Sequence, residues 1–124
     1  MKKLISLVGA IGLVVAGTSV ASAHTVLIFS SPAKGAKIKV LPAKITLKFA
    51  DPLLTLGTKA INKVVVSDPT NTVITSGKDV VHGAVLTDPL VDAKPVSGIY
   101  KVSYRVSAQD GHIVTGAFTF TLQN

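Results

Sequence analysis

The sequence predicts an all-β protein, an immunoglobulin-like Greek-key β-sandwich of about seven short strands. Three observations predict it. The strongest apolar stretches alternate with a period of two, the signature of strands buried on one face. Turn-forming Pro, Gly, Asp and Asn recur at the spacing of short hairpins. Beyond residue 23, no stretch shows a 3.6-residue apolar period with helix caps. No internal repeat, linker or low-complexity segment interrupts this pattern.

The first element is not part of the fold. Lys2 and Lys3 form a basic start, Leu4 to Val20 an apolar run, and Ala21-Ser22-Ala23 a cleavage signal. This is the make-up of a secretory signal peptide over residues 1–23. An uncleaved membrane anchor is the alternative, but the run is short, contains Gly and ends at a processing site. The mature chain then runs from His24 to Asn124, 124 − 23 = 101 residues, enough for one small core. The expectation is an exported, soluble protein, since no other segment is long and apolar enough to span a bilayer.

In the mature chain, Thr25 to Phe29 is a β-rich run that ties the new terminus to a sheet, and Ser31-Pro32-Ala33-Lys34-Gly35 is a turn. Ala43 to Ala50 alternates, with Ile45, Leu47 and Phe49 on one face and Thr46 and Lys48 on the other. Asp51-Pro52 ends it. Ala60 to Ser67 is the next strand, closed by Asp68-Pro69-Thr70-Asn71. Thr72 to Thr75 and Asp79 to Leu86 are weaker candidates, around Ser76-Gly77 and His82-Gly83. Asp88-Pro89 and Lys94 to Gly98 mark loops. From Ile99, Tyr100, Val102, Tyr104 and Val106 alternate with Lys101, Ser103 and Arg105. Over Thr115 to Leu122, Phe118, Phe120 and Leu122 share one side.

Composition narrows the chemistry. There is no cysteine, and the only methionine is Met1. A mature chain without sulfur disfavours Cu(I) capture and blue-copper electron transfer, and leaves nitrogen and oxygen as metal donors. The formal charge of +7 becomes +5 once Lys2 and Lys3 leave. The lysines are scattered rather than interleaved with aromatics, so no nucleic-acid partner is expected.

Cleavage after Ala23 would create a ligand that the precursor lacks. The freed amine of His24, with a reference pKa of about 7.7–8.0, and its own imidazole Nδ1 can close a six-membered chelate ring. A second imidazole would complete a nearly planar set of three nitrogens, which suits Cu(II) better than a tetrahedral zinc site. Asp110-Gly111-His112 is the best source for it. Asp110 and His112 are two apart, so in extended chain they project to the same side. The alternative is a plain polar hairpin loop, because Asp-Gly is a common turn pair. His82 has no partner at ligand spacing and reads as a structural or surface histidine. Tyr100 and Tyr104 read as core. Asp68, Asp79, Asp88 and Asp92 read as turn residues that bond to backbone.

Two end motifs carry a family resemblance. The mature start, with His24, Leu27, Ser30 or Ser31, Pro32, Ala33 and Gly35, resembles the H-x-x-L-x-x-S-x-P-A-x-G start of the CopC family of exported copper-resistance proteins. Leu47-Lys48-Phe49-Ala50-Asp51 is similar to that family's L-x-F-S-E segment. Gly98 to Ser107, then Asp110-Gly111-His112 and Gly116-Ala117-Phe118-Thr119-Phe120, looks like its G-x-Y-x-V-x-W-R-x-x-S-x-D-G-H-x-x-x-G-x-F-x-F signature. The resemblance spans nearly all of the mature chain. It implies a domain over 24–124 that binds one Cu(II) ion through His24 and His112, with Asp110 in or beside the ligand plane. Asp51 matches a family Glu near the copper. Being one methylene shorter, it is expected as a hydrogen-bond partner of His24 or a weak ligand. Tyr104 stands where the family has Trp, and Val65 to Val80 contains no Met or His, so the resemblance is to a Cu(II)-only member.

The function so implied is that of a copper carrier or buffer for resistance and homeostasis in the periplasm or outside the cell membrane. It is not an enzyme, and it is a monomer by default. Such proteins often work beside a CopD-type membrane copper transporter. A copper-dependent oxidative enzyme is the alternative, because an N-terminal histidine plus a second histidine resembles the brace of lytic polysaccharide monooxygenases. Against it stand the short chain, the absence of Trp and the carboxylate beside the metal. A metal-free secreted interaction module is the third reading, since fold does not fix function.

Overall fold

A computed structural model of the chain describes residues 25–124. The expected signal peptide, its cleavage site and His24 lie outside the described residues. Eight strands and no helix make up the described chain: β1 (Leu27–Ser31), β2 (Lys37–Ile38), β3 (Lys44–Phe49), β4 (Lys63–Ser67), β5 (Val80–His82), β6 (Val85–Pro89), β7 (Gly98–Ser107) and β8 (Ile113–Leu122). They form two four-stranded sheets, in the orders β1-β3-β6-β5 and β2-β8-β7-β4. Every pairing is antiparallel except β2 with β8. The architecture is the expected β-sandwich.

The period-two alternation becomes burial. Ile45, Leu47 and Phe49 of β3, Val64 and Val66 of β4, and Leu86 of β6 close the core from one side or the other. Tyr100, Val102 and Val106 of β7 and Phe118, Phe120 and Leu122 of β8 complete it. The Tyr100 ring stacks on Phe120 with centroids 5.2 Å apart. Its hydroxyl donates to the Val96 carbonyl at 2.6 Å, which satisfies the one polar atom it carries inward. Tyr104 is only half-buried. It meets Phe49 edge-on at 5.3 Å and lies over its cross-strand partner Gly116, where a Cβ would overlap the ring. The missing side chain at Gly116 is what makes room for the phenol.

Four expectations are corrected at the level of single elements. Thr72–Thr75 is not a strand: Val73 bridges Ser67 in one sheet and Thr75 bridges Leu90 beside the other. The segment is crossing between sheets and cannot settle in either. Asp79–Leu86 is two strands, β5 and β6, because Gly83 turns the chain with φ of 60°. Asp88-Pro89 is not a loop but the end of β6, paired with Ile45 and Lys44. The first strand starts at Leu27 rather than Thr25 and carries a bulge between Leu27 and Phe29.

Candidate metal centre

The β7–β8 hairpin carries the Asp-Gly-His segment at its tip. Ten residue pairs register the two strands, from Gly98 with Leu122 to Ser107 with Ile113. The five residues between them close on themselves. The Ala108 amide donates to the His112 carbonyl at 2.9 Å, and the Gly111 amide to the Ala108 carbonyl at 2.9 Å. Gly111 takes φ of 89°, a region that L side chains rarely enter. Asp110 and His112 therefore meet through a turn, not through the extended chain that their spacing suggested.

Within that turn the Asp110 carboxylate binds His112 twice. Oδ1 accepts from the His112 amide at 3.0 Å, and Oδ2 lies 2.8 Å from ring Nδ1. A proton on Nδ1 donated to Oδ2 leaves Nε2 with its lone pair, the form in which imidazole binds a metal. The side chains remain 62% and 36% exposed, so the ring is fixed yet reachable.

A second segment connects this tip to the start of the described chain. The Asp51 amide donates to Thr25 Oγ1 at 3.0 Å, and the Ala50 amide to the Val26 carbonyl at 2.8 Å. Three residues on, the Leu54 amide donates to the Ser107 carbonyl at 3.0 Å, and Gln109 Nε2 to the Leu53 carbonyl at 3.1 Å. Asp51 to Leu54 spans at most about 11 Å of chain. The same short segment thus holds Thr25, the covalent neighbour of His24, and the base of the Asp-Gly-His turn.

Asn62 is the residue that sequence reasoning missed. It is buried, its Nδ2 donates to the Leu54 carbonyl at 2.8 Å, and its Oδ1 accepts from the Ser107 amide at 2.8 Å. One side-chain amide clamps both walls of this end of the sandwich. The signal was available: Asn62 shares the inward parity of Val64 and Val66, where a polar residue needs partners.

The remaining candidates stand apart. His82 is exposed at the end of β5, an edge strand at the opposite side of its sheet from β1. Burial pushes the Tyr100 and Tyr104 phenols above their ordinary range, so neither offers a phenolate at neutral pH. Among the described residues no three His, Cys, Asp or Glu side chains cluster as a complete metal site. The described part supplies a pair, Asp110 and His112, and the third expected donor, His24, lies outside it.

Comparison with known proteins bears on the family and the fold. Copper resistance protein C of Pseudomonas syringae pv. tomato is 31% identical over 109 residues, covering 86% of each chain. The crystal structure of CopC from Methylosinus trichosporium OB3b matches with a TM-score of 0.67 and 26% identity, over 81% of this chain and 94% of that one. PcoC, a methionine-rich copper resistance protein from Escherichia coli, matches with a TM-score of 0.63 over 81% of this chain and 99% of its own. At 22% identity, that last likeness is one of fold. The CopC domain family model matches residues 27–123, nearly the whole described chain, and the protein belongs to the CopC family.

Proposed function

We propose that this protein binds copper for resistance or homeostasis, holding one Cu(II) ion at the end of the sandwich that carries the Asp-Gly-His turn. The ligands in this reading are the amine and imidazole of His24, freed by removal of residues 1–23, and Nε2 of His112. The observation that carries it is the hydrogen bond between Asp110 and the His112 ring, which selects the tautomer and fixes the direction of Nε2. A carboxylate in this position also raises the basicity of the imidazole. Each Asp110 oxygen accepts a bond from His112, so orienting the ring is its first task, and a carboxylate has lone pairs enough to face the ion as well. Asp51 serves as a supporting contact to His24 or a weak ligand. Three nitrogen donors and a carboxylate, with no sulfur, match Cu(II).

The protein is exported in this reading and acts in the periplasm or on the outer side of the membrane, as a carrier or buffer rather than an enzyme. A CopD-type transporter is the proposed recipient. Binding requires a neutral imidazole and a deprotonated amine, so copper displaces protons and affinity falls with falling pH.

The test is a Cu(II) titration of the chain beginning at His24, with electron paramagnetic resonance. The expected result is one tightly bound equivalent with a nitrogen-rich tetragonal spectrum. That spectrum is lost when one extra residue precedes His24, and in His112→Ala. Weak, non-stoichiometric binding that ignores both changes would refute the site.

A further inference from the structure

One edge of the sandwich is chemically unlike the rest of the surface. β1 and β2 are edge strands of their two sheets, and only residues 32–36 separate them in the chain. The segment from Thr25 to Ala50 holds five lysines (Lys34, Lys37, Lys39, Lys44 and Lys48) and no acidic residue; all six Asp lie beyond it. All five lysines are exposed, and among the described residues none makes an ion pair. The same segment exposes apolar side chains: Ile28 by 57%, Phe29 by 56% and Val40 by 79%. Phe29 is paired across the strands with Lys48, which puts the two on one face. Leu27, Ile28, Phe29, Ser30, Ala33 and Lys34 line a groove along this edge, with a volume of about 380 Å³.

We propose that this β1/β2 edge, with the outward face of neighbouring β3, docks onto an anionic lipid surface, with Ile28 and Phe29 entering the headgroup layer and the lysines of the segment meeting lipid phosphates. Charge complementarity selects the occupant: unpaired ammonium groups around exposed apolar side chains match a surface that is itself amphipathic and negative. A strand added from another protein fits less well. The bulge between Leu27 and Phe29 breaks the row of edge hydrogen-bonding groups that strand addition reads, whereas a bilayer requires no register. The inference does not depend on the metal site.

The chain contains no Trp, so Phe29→Trp supplies a single fluorescent reporter at the contact. The probes are vesicles of phosphatidylcholine alone and of phosphatidylcholine mixed with phosphatidylglycerol, with the chain from His24 to Asn124. The expected result is a blue shift and co-sedimentation with the anionic vesicles only, reversed by high salt. Each lysine near such a surface contributes about fivefold to partitioning. Lys34→Ser with Lys48→Ser should therefore weaken sedimentation about 25-fold, and Ile28→Ser should weaken it further. These side chains are exposed, and circular dichroism of each variant checks that the fold is kept. Three results would overturn the proposal: no anionic binding at low salt, equal binding to both vesicle types, or binding unchanged by the lysine substitutions. A fourth would overturn it too: self-association that blue-shifts the reporter without vesicles would assign the edge to a second copy of the chain.

Discussion

Asp88 and Asp110 both gather hydrogen bonds from a neighbouring turn, and they do so at different depths. Asp88, on β6, is fully buried. It accepts from the Ser76 amide at 2.9 Å, the Ser76 hydroxyl at 2.6 Å and the Gly77 amide at 3.1 Å. These bonds fasten the crossing segment to the sheet. Asp110 is partly exposed, and each of its oxygens accepts from the same residue, His112. The first carboxylate closes a loop onto the core; the second aims an imidazole toward solvent. A carboxylate in this fold is structural where its donors are backbone and hydroxyl groups, and turns toward chemistry where one donor is an imidazole, the proposed ligand.

The sharpest way to break the comparison is to truncate each member. Asp88→Ala removes three bonds to a charged acceptor and strands their donors. We expect a loss of about 4 kcal/mol in a denaturant titration, with copper stoichiometry unchanged in the fraction that folds. Asp110→Asn should leave stability within about 0.5 kcal/mol and lower copper affinity about ten- to a hundredfold, read by competition with a chelator. If the two variants traded phenotypes, the distinction would collapse. Asn62→Ala sits between them and should show both effects. Two unsatisfied backbone groups cost about 2–3 kcal/mol, and the loosened Ser107–Leu54 clamp should weaken copper binding several-fold.

The smallest effect sharpens the buried side. Asp79 accepts from the Val64 amide at 2.9 Å. Its pKa is raised, first by burial and also by the charge of Asp88 nearby. A raised folded pKa means that protonation favours the fold. The contribution is fully present below the reference value of 3.8 and is lost as pH rises through the folded pKa. Asp79→Asn keeps an acceptor for Val64 and removes the repulsion. It should be slightly more stable than the parent at pH 7 and lose that advantage in acid, which thermal melts across pH would reveal.

Much of the fold was legible because its main strands are decided locally. In β3, β7 and β8 the alternating residues that read as inward are the ones buried, except Tyr104, which is half-buried. β2 was invisible, since two residues, Lys37 and Ile38, acquire strand geometry only from their parallel partner β8. Thr72–Thr75 misled because β-propensity cannot report that a segment is changing sheets. Asp88 was read as a loop residue because Asp-Pro resembles a stop, although Leu86 and Asp88 share inward parity. At the candidate site, the residue types of Asp110 and His112 were readable and their geometry was not. The pairing comes from a turn that Gly111 permits. The cross-links through Asn62, Leu54 and Thr25 are long-range, 45 residues apart for Asn62 with Ser107 and more for Leu54 with Ser107, and no local pattern encodes them.

The Asp-Gly-His turn is nearly self-contained, and that makes it portable. The bonds that shape its backbone run from Ala108 to His112, from Gly111 to Ala108 and from His112 to Asp110, all within five residues. Its mounting is a ten-pair antiparallel ladder, a surface that many unrelated β-proteins offer. Moved onto another hairpin, these five residues would carry an oriented imidazole with them. The other donors would have to come from whatever chain the new host brings alongside.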